Sequence, residues 1–253
     1  MVDCALVIPA RLDSRRFPRK LVYPVLERPL VLWTAEAAYR AADGIPLYFA
    51  AGDSEIACLL EEAGYQVLMT EPDLPSGTDR LAAANREIRA EILINIQADE
   101  PMVTPRQVRE LRELAEEGRF DIATLARPFT GIDAFHDPNN VKVLLGEDRR
   151  ALYFTRAPVP YPRDDKGQHT PALLREAPVR HHLGLYAYRR EFLQRFSGLK
   201  PGRLEMIERL EQLRALEHGY TIGVGETIDP TVGVDTREDV PRLEAALRSL
   251  RAN

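Results

Sequence analysis

"CALVIPARLDSRRFPRKL", residues 4–21, joins a short apolar run to a basic loop in which Arg11, Arg15, Arg16, Arg19 and Lys20 fall within ten positions. A brief, uninterrupted apolar run suits a strand covered on both faces by helices, which is how parallel sheets are built. A loop after such a strand lies where open α/β sheets bind ligands, outside the carboxyl ends of their strands. This loop has no glycine between Pro9 and Leu21. It therefore fits neither the G-x-G-x-x-G fingerprint nor the P-loop, both of which cradle phosphate on glycine backbone. An anion here would be gripped by side chains, with guanidinium groups offering two parallel hydrogen bonds. For Arg15, Arg16 and Arg19, plain solvated loop charge is the competing reading.

Outward from this stretch, strand-length apolar runs alternate with helical patterns, the signature of an α/β fold. Strands are predicted at 4–10, 46–51, 65–70, 91–97, 120–126, 140–145 and 183–188, and helices at 29–42, 54–64 and 77–90. In "TPRQVRELRELAEEG" Thr104 is an N-cap, Pro105 the first helical residue, Val108, Leu111 and Leu114 a buried stripe and Gly118 the stop. Residues 201–219 read as one more helix, with Leu204, Ile207, Leu210, Leu213 and Leu216 on one side and Glu205, Glu208 and Gln212 on a polar stripe. From about 127 to 200 the pattern loosens and prolines cluster in "RAPVPYPRDD", which reads as an excursion inserted in one domain spanning 1–253 and serving as an oligomer contact.

Composition narrows the partners. With 34 basic and 39 acidic side chains the net charge is −5, unlike the positive footprint of a general nucleic-acid binder. The basic loop is thus a local device for a local anion. Cys4 and Cys58 have no CxxC spacing and both read as small core residues, in keeping with a reducing cytoplasm. No run is long enough to span a membrane, and no leader pattern precedes "CALVI".

Acids gather at the other strand ends. "NIQADEP" places Asp99 just beyond the run 91–97, and "VGVDTRED" places Asp235 after another apolar stretch. Thr236 and Asp239 make a capping box, which leaves the Asp235 carboxylate available. Two acidic turns and one basic loop at one sheet edge suit a metal–polyphosphate site.

The set "IPARLDSRRFPRKL", "SGTDR" (76–80), "NIQADEP", "ALYFTRAPVP" (151–160), "HLGLYAY" (182–188), "LEQLRALEHG" (210–219) and "GVDTRED" (233–239), in this order, resembles the 3-deoxy-manno-octulosonate cytidylyltransferase (CMP-Kdo synthetase) family over nearly the whole chain. The resemblance implies a single nucleotide-diphospho-sugar-transferase-like domain, a mainly parallel mixed sheet flanked by helices, with the inserted region at a homodimer contact. It implies attack of the anomeric hydroxyl of the eight-carbon acid Kdo on the α-phosphorus of CTP, giving CMP-Kdo and pyrophosphate, with Mg²⁺ as cofactor, no nucleic-acid or membrane partner and a cytoplasmic setting.

By the same resemblance Lys20, Asp99 and Asp235 are catalytic, and Arg11, Ser14, Lys20, Ser76, Gly77, Thr78, Arg80 and Gln97 bind the nucleotide. Asp99 and Asp235 hold the metal, and Arg156, His182, Glu211 and Gln212 hold the sugar. His181, next to His182, points elsewhere on its strand. The sequence departs from the family pattern at Arg19, where glycine is expected before the lysine, and at Leu21, where proline is expected. It departs again at Ala98, where glycine is usual, and at Ala51–Gly52, where a Thr-Asp pair is usual. Two other readings stand beside the leading one: CMP transfer to another ulosonic or amino-sugar acid, and a nucleotide-binding homologue without catalysis. Retention of both Asp99 and Asp235 counts against the last.

Overall fold

The computed structural model describes residues 2–14 and 16–252. Arg15, read as loop charge, lies outside the described residues. The chain divides into two compact units, residues 1–109 with 229–253, and residues 110–228.

The first unit contains β1 (Val2–Ala10), a hairpin of β2 (Pro24–Val25) and β3 (Arg28–Pro29), α1 (Leu30–Ala42), β4 (Leu47–Ala51), α2 (Ser54–Glu62), β5 (Val67–Met69), α3 (Gly77–Ile88) and β6 (Ala90–Asn95), and α4 (Pro105–Glu116) begins in it. β1 pairs in parallel with β4 and with β6, and β4 pairs in parallel with β5. Ala5, Leu6, Val7 and Ile8 are fully buried, as a central parallel strand requires. Parallel pairing sends the carboxyl ends of these strands to one edge, so the loops carrying the basic run, "SGTDR" and "QADEP" follow strands that end there. α4 obeys its sequence signals: Gln107 N–H donates to Thr104 Oγ1 (3.2 Å), Thr104 N–H donates to Gln107 Oε1 (3.1 Å), and Val108, Leu111 and Leu114 are buried.

The second unit runs β7 (Ile122–Arg127), α5 (Ile132–His136), β8 (Lys142–Leu145), β9 (Ala151–Thr155), α6 (Pro171–Glu176), β10 (Val179–Arg189), α7 (Arg190–Phe196), α8 (Arg203–Glu208), α9 (Gln212–Glu217) and β11 (Ile222–Glu226). β11 is parallel to β7, while β10 is antiparallel to β7 and to β8, and β8 to β9. The two units together give an α/β fold with mixed pairing and flanking helices. The chain then returns to the first unit through α10 (Val240–Ala252), whose Leu243 and Leu247 pack with Phe17, Leu30, Trp33, Met102 and Val234.

Three sequence expectations are corrected. Residues 201–219 form two short helices, because Arg209 adopts φ 55° and stops the first. Gln212, read on one polar stripe with Glu205 and Glu208, is instead buried at the start of a separate helix. Cys58 is exposed on α2, so only Cys4 is a core cysteine. The excursion at 127–200 carries α5, β8, β9, α6, β10 and α7; the runs 140–145 and 183–188 mark β8 and the second half of β10, while β9 and the three helices of five to seven residues are too short to show a period. Among the described residues no helix is long and apolar enough to cross a membrane.

Candidate active site

The basic loop is folded onto itself and anchored at both ends. Phe17 is buried in the core, Arg19 N–H donates to the Leu12 carbonyl (3.2 Å), and Leu12 N–H donates to Asp53 Oδ2 (2.8 Å). Asp53 precedes α2 without capping it, its carboxylate being turned to the loop instead. Arg19 has φ 60° and ψ 26°, the left-handed region that glycine enters freely and a Cβ-bearing residue enters at a cost. Its guanidinium donates to Glu55 Oε1 (2.5 Å), which with the Glu55 charge raises its pKa. The backbone thus explains why glycine is expected at this position, and the ion pair accounts for the side chain standing there. Arg11 is exposed and Ser14 half-buried on the same loop.

Lys20 opens a 3-10 turn, Lys20–Val22, and reaches across the sheet edge. Its ammonium contacts Asp99 Oδ2, donates to the Val234 carbonyl (2.9 Å) and lies 3.8 Å from Asp235 Oδ1. The two predicted metal acids are therefore brought around one cation. Val234 N–H also donates to the Asp99 carbonyl (3.3 Å), tying the two acidic turns together through backbone. Asp239 Oδ2 accepts from Thr236 N–H (2.9 Å) and Asp235 N–H (3.0 Å), the capping arrangement that leaves the Asp235 side chain outward. Arg16, read as solvated charge, instead donates to Asp235 Oδ1 (2.8 Å), an exposed pair that no local signal announces because its partner is 219 positions away.

"SGTDR" begins α3. Ser76 caps it, accepting from Asp79 N–H (3.1 Å), and Gly77 lies against Pro9 of β1. Arg80 is 1% exposed, and its guanidinium donates to the Glu71 and Pro72 carbonyls (3.0 and 3.1 Å) and contacts Thr70 Oγ1. Burial, then the nearby Arg11 charge, lowers its pKa. A Cβ on Gly52 would stand 2.6 Å from the Arg80 Nη1, so glycine after β4 makes room for this guanidinium. Arg80 thus holds the loop before α3, and Thr78 is buried beside it in the chain. Gln97 is half-buried just beyond β6, its carbonyl accepting from Glu100 N–H (3.1 Å).

The second unit holds the four predicted sugar residues. Arg156 is pinned: its N–H donates to Glu208 Oε2 (3.0 Å), its Nε to the Glu208 carbonyl (2.8 Å), and its Nη1 to the Pro138 carbonyl (2.9 Å). The fully buried Lys142 donates to the Arg156 carbonyl (3.0 Å). Among the described residues this leaves Nη2 as the guanidinium nitrogen not engaged with protein. His182 is buried on β10, with Nε2 2.9 Å from Thr124 Oγ1. The Thr124 hydroxyl gives its single proton to the Leu185 carbonyl (2.6 Å), so His182 Nε2 is the donor and Nδ1 the acceptor nitrogen. Burial, then His181, lowers the His182 pKa to about 3, keeping it neutral at ordinary pH. Tyr186, which the sequence reading passed over, sits 5.3 Å from the His182 ring, and burial, with Tyr188 and Glu211, raises its pKa. Glu211 and Gln212 stand at the start of α9. His181 stacks on Phe129 at 5.4 Å, away from His182.

A family model described as "Cytidylyltransferase" matches residues 5–227. The chain belongs to the cytidylyltransferase family. A relative from Syntrophobacter fumaroxidans named 3-deoxy-manno-octulosonate cytidylyltransferase is 45% identical over 245 residues, 95% of each chain. A Shewanella relative named 8-amino-3,8-dideoxy-manno-octulosonate cytidylyltransferase is 39% identical over 251 residues, covering 97% of this chain and 99% of its own. The solved structure of CMP:2-keto-3-deoxy-manno-octonic acid synthetase complexed with CTP matches with a TM-score of 0.86 at 34% identity, over 97% of this chain and 98% of that one.

In this cytidylyltransferase the departures noted from sequence have structural counterparts. Ala98 lies outside the left-handed region, so no glycine is needed, and its carbonyl accepts from Thr34 Oγ1 (2.8 Å). Arg19 accepts the strained backbone and Gly52 admits Arg80. The donor set fits a hard divalent cation: Asp99 and Asp235 already share a positive centre, and Mg²⁺ takes one or two carboxylates and completes its shell with water and phosphate oxygens.

Proposed function

We propose that this cytidylyltransferase activates Kdo for lipopolysaccharide precursor synthesis by joining it to CMP. The observation that carries the reading is the convergence of Lys20 with Asp99 and Asp235 at the carboxyl edge of the first unit's sheet. The anomeric hydroxyl oxygen forms a bond to the α-phosphorus of CTP, the bond to the bridging oxygen breaks, pyrophosphate leaves and the hydroxyl proton passes to water. Arg11, Ser14 and Lys20 bind the triphosphate, and their fixed donors stabilise charge as it gathers on pyrophosphate. Ser76, Gly77, Thr78 and Gln97 face the nucleoside, where an amide and hydroxyls read the donor and acceptor edge of cytosine. Arg80 acts on that pocket through the loop it holds.

Asp99 and Asp235 hold Mg²⁺, which when bound supplies Lewis-acid polarisation and orients the reacting oxygens. In the second unit, Nη2 of Arg156 pairs with the sugar carboxylate, while neutral His182, through Nδ1, and Glu211 and Gln212 hold sugar hydroxyls. The working protein is a cytoplasmic homodimer of one-domain chains, with residues 127–200 at the contact and neither nucleic acid nor membrane as partner.

The Shewanella relative favours a second reading, an 8-amino sugar acid as the acceptor, since its identity to this chain is of the same order. One experiment separates them: incubation with CTP, Mg²⁺ and in turn Kdo, 8-amino-Kdo and sialic acid, with pyrophosphate release measured. Release with Kdo in excess of the other acids is expected. Release with the amino sugar alone establishes the second reading, and no release with any acid leaves nucleotide binding without catalysis.

A further inference from the structure

We propose that the Lys20 ammonium is the resident counter-ion of the Asp99–Asp235 pair, and that it gives up this place to a divalent cation only when a nucleoside triphosphate arrives to receive it. The proposal rests on the reading that these two acids hold the metal. Lys20 and Asp99 are largely withdrawn from solvent, with side-chain exposures of 14% and 21%. An ammonium has three donor directions, and here one meets Asp99 Oδ2, one the Val234 carbonyl at 2.9 Å, and Asp235 Oδ1 lies 3.8 Å away.

Two carboxylates gathered around one point repel unless a cation sits with them, and among the described residues Lys20 is the cation that lies within 4 Å of both. A metal ion can take Asp99 Oδ2 only if the ammonium moves. Metal arriving alone would have to strip Lys20 of both an ion pair and a carbonyl bond and offer it nothing in return. A triphosphate on the basic loop supplies that compensation: several negative oxygens within reach of a flexible four-carbon stem. The backbone need not move, because Phe17 is buried in the core and the Lys20 turn is bonded to it, with Lys20 N–H donating to the Phe17 carbonyl (3.2 Å).

Nucleotide and metal are then positively coupled, and by linkage each raises the other's affinity by the same factor. An ordering of this kind keeps the acid pair from being loaded with metal before there is a phosphate to orient. Arg16 is the internal contrast. It also contacts Asp235, but the pair is exposed on both sides, at 60% and 52%, so solvent and salt screen it.

The test is titration with Mn²⁺, followed by the electron paramagnetic resonance signal of the free ion, with and without α,β-methylene-CTP, which cannot be turned over. The wild-type protein should bind Mn²⁺ weakly alone and strongly with the analogue. Lys20→Met should bind Mn²⁺ alone about tenfold or more tightly than wild type, with the analogue adding less, since a close and partly buried cation has been removed. Lys20→Arg should stay weak, and Arg16→Met should change the affinity less than about threefold because its pair is screened. Metal-free thermal melts establish that each variant is folded.

Wild-type affinity for Mn²⁺ that is the same with and without the analogue overturns the proposal without recourse to any variant. So does a Lys20→Met protein no tighter than wild type, or an Arg16→Met protein that gains as much, which would mean diffuse charge rather than a placed counter-ion. Asp99→Asn that keeps wild-type Mn²⁺ affinity in the presence of the analogue overturns the metal assignment itself, a pattern distinct from the others.

Discussion

Lys20 meets Asp99 across 79 positions and the Val234 carbonyl across 214, so the chemistry of the edge is assembled from loops that are remote in the chain. On the proposed mechanism, removing one acid takes away a ligand for the metal and leaves the Lys20 ammonium short of a carboxylate. Asp99→Asn or Asp235→Asn should therefore lower kcat about 10²- to 10³-fold, read as pyrophosphate release. Lys20→Ala should reduce it far more than Arg16→Ala, since only the first removes a cation with restricted solvent access. Unchanged turnover in either aspartate variant would remove these acids from the mechanism. Arg19 offers a separate measurement. Arg19→Gly and Arg19→Ala both lose the Glu55 pair, but only glycine relieves φ 60°, so the glycine variant should be the more stable by about 1 kcal/mol in urea unfolding. Equal stability would mean the left-handed backbone carries no cost. At this scale the sequence yields residue types at strand ends, but not who pairs with whom: nothing local in "DSRRFPRKL" tells Arg16, which reaches Asp235, from Arg19, which reaches Glu55.

Among the elements, legibility followed how local the determining forces are. Every signal for α4 lies inside it, from the reciprocal Thr104–Gln107 bonds to the buried Val108, Leu111 and Leu114, and the helix forms as read. Residues 201–219 have a leucine at nearly every third position, which resembles one stripe, yet Ile207 is 78% exposed and Leu213 is fully buried. The halves face different surroundings because Arg209 turns the chain. What holds that turn is tertiary: Arg214 donates through Nε and Nη2 to both oxygens of Glu205 (2.8 and 2.6 Å), with side-chain exposures of 10% and 13%. Glu217 adds bonds to the N–H groups of Leu204 and Glu205 (3.0 and 3.2 Å) at the start of α8. A nine-residue separation is no helical period, so this pair had no signature in the pattern. Glu205→Ala should destabilise by about 3 kcal/mol, because a buried guanidinium loses the carboxylate that accepts from two of its nitrogens, Glu211 standing farther off at 3.9 Å. Glu205→Ala,Arg214→Met should recover part of that loss; a single variant within about 0.5 kcal/mol of wild type in denaturant midpoint would show that the pair does not hold the corner.

For the molecule as a whole, the alternation of apolar runs and helices is enough to read α/β architecture, since β1 and β6 are buried over most of their length and β4 over its last three residues, while β5 is a short, partly exposed strand. β9 and β11 escaped notice: "ALYFT" and "IGVGE" are five residues each, and in β11 glycine stands where Phe120 and Leu125 crowd the backbone. β10 has a consequence for stability that burial of its histidines makes calculable. Burial, then Arg127 and Lys142, depresses the His181 pKa to about 4, and burial depresses that of His182 to about 3. In the unfolded chain both would titrate near their ordinary 6.5. Between those values the unfolded state binds more protons than the folded one, so stability falls as pH falls. The stabilisation is full above about pH 6.5 and is withdrawn at roughly 1.4 kcal/mol per pH unit for each histidine until the folded pKa is reached. Urea unfolding of the wild-type protein from pH 7.5 to 4.5 should show this slope, and His181→Phe, which keeps an aromatic ring against Phe129, should lower it by about one proton's share. Parallel pH profiles for wild type and His181→Phe would mean that His181 is protonated in the folded protein, and that its stacked ring is open to water.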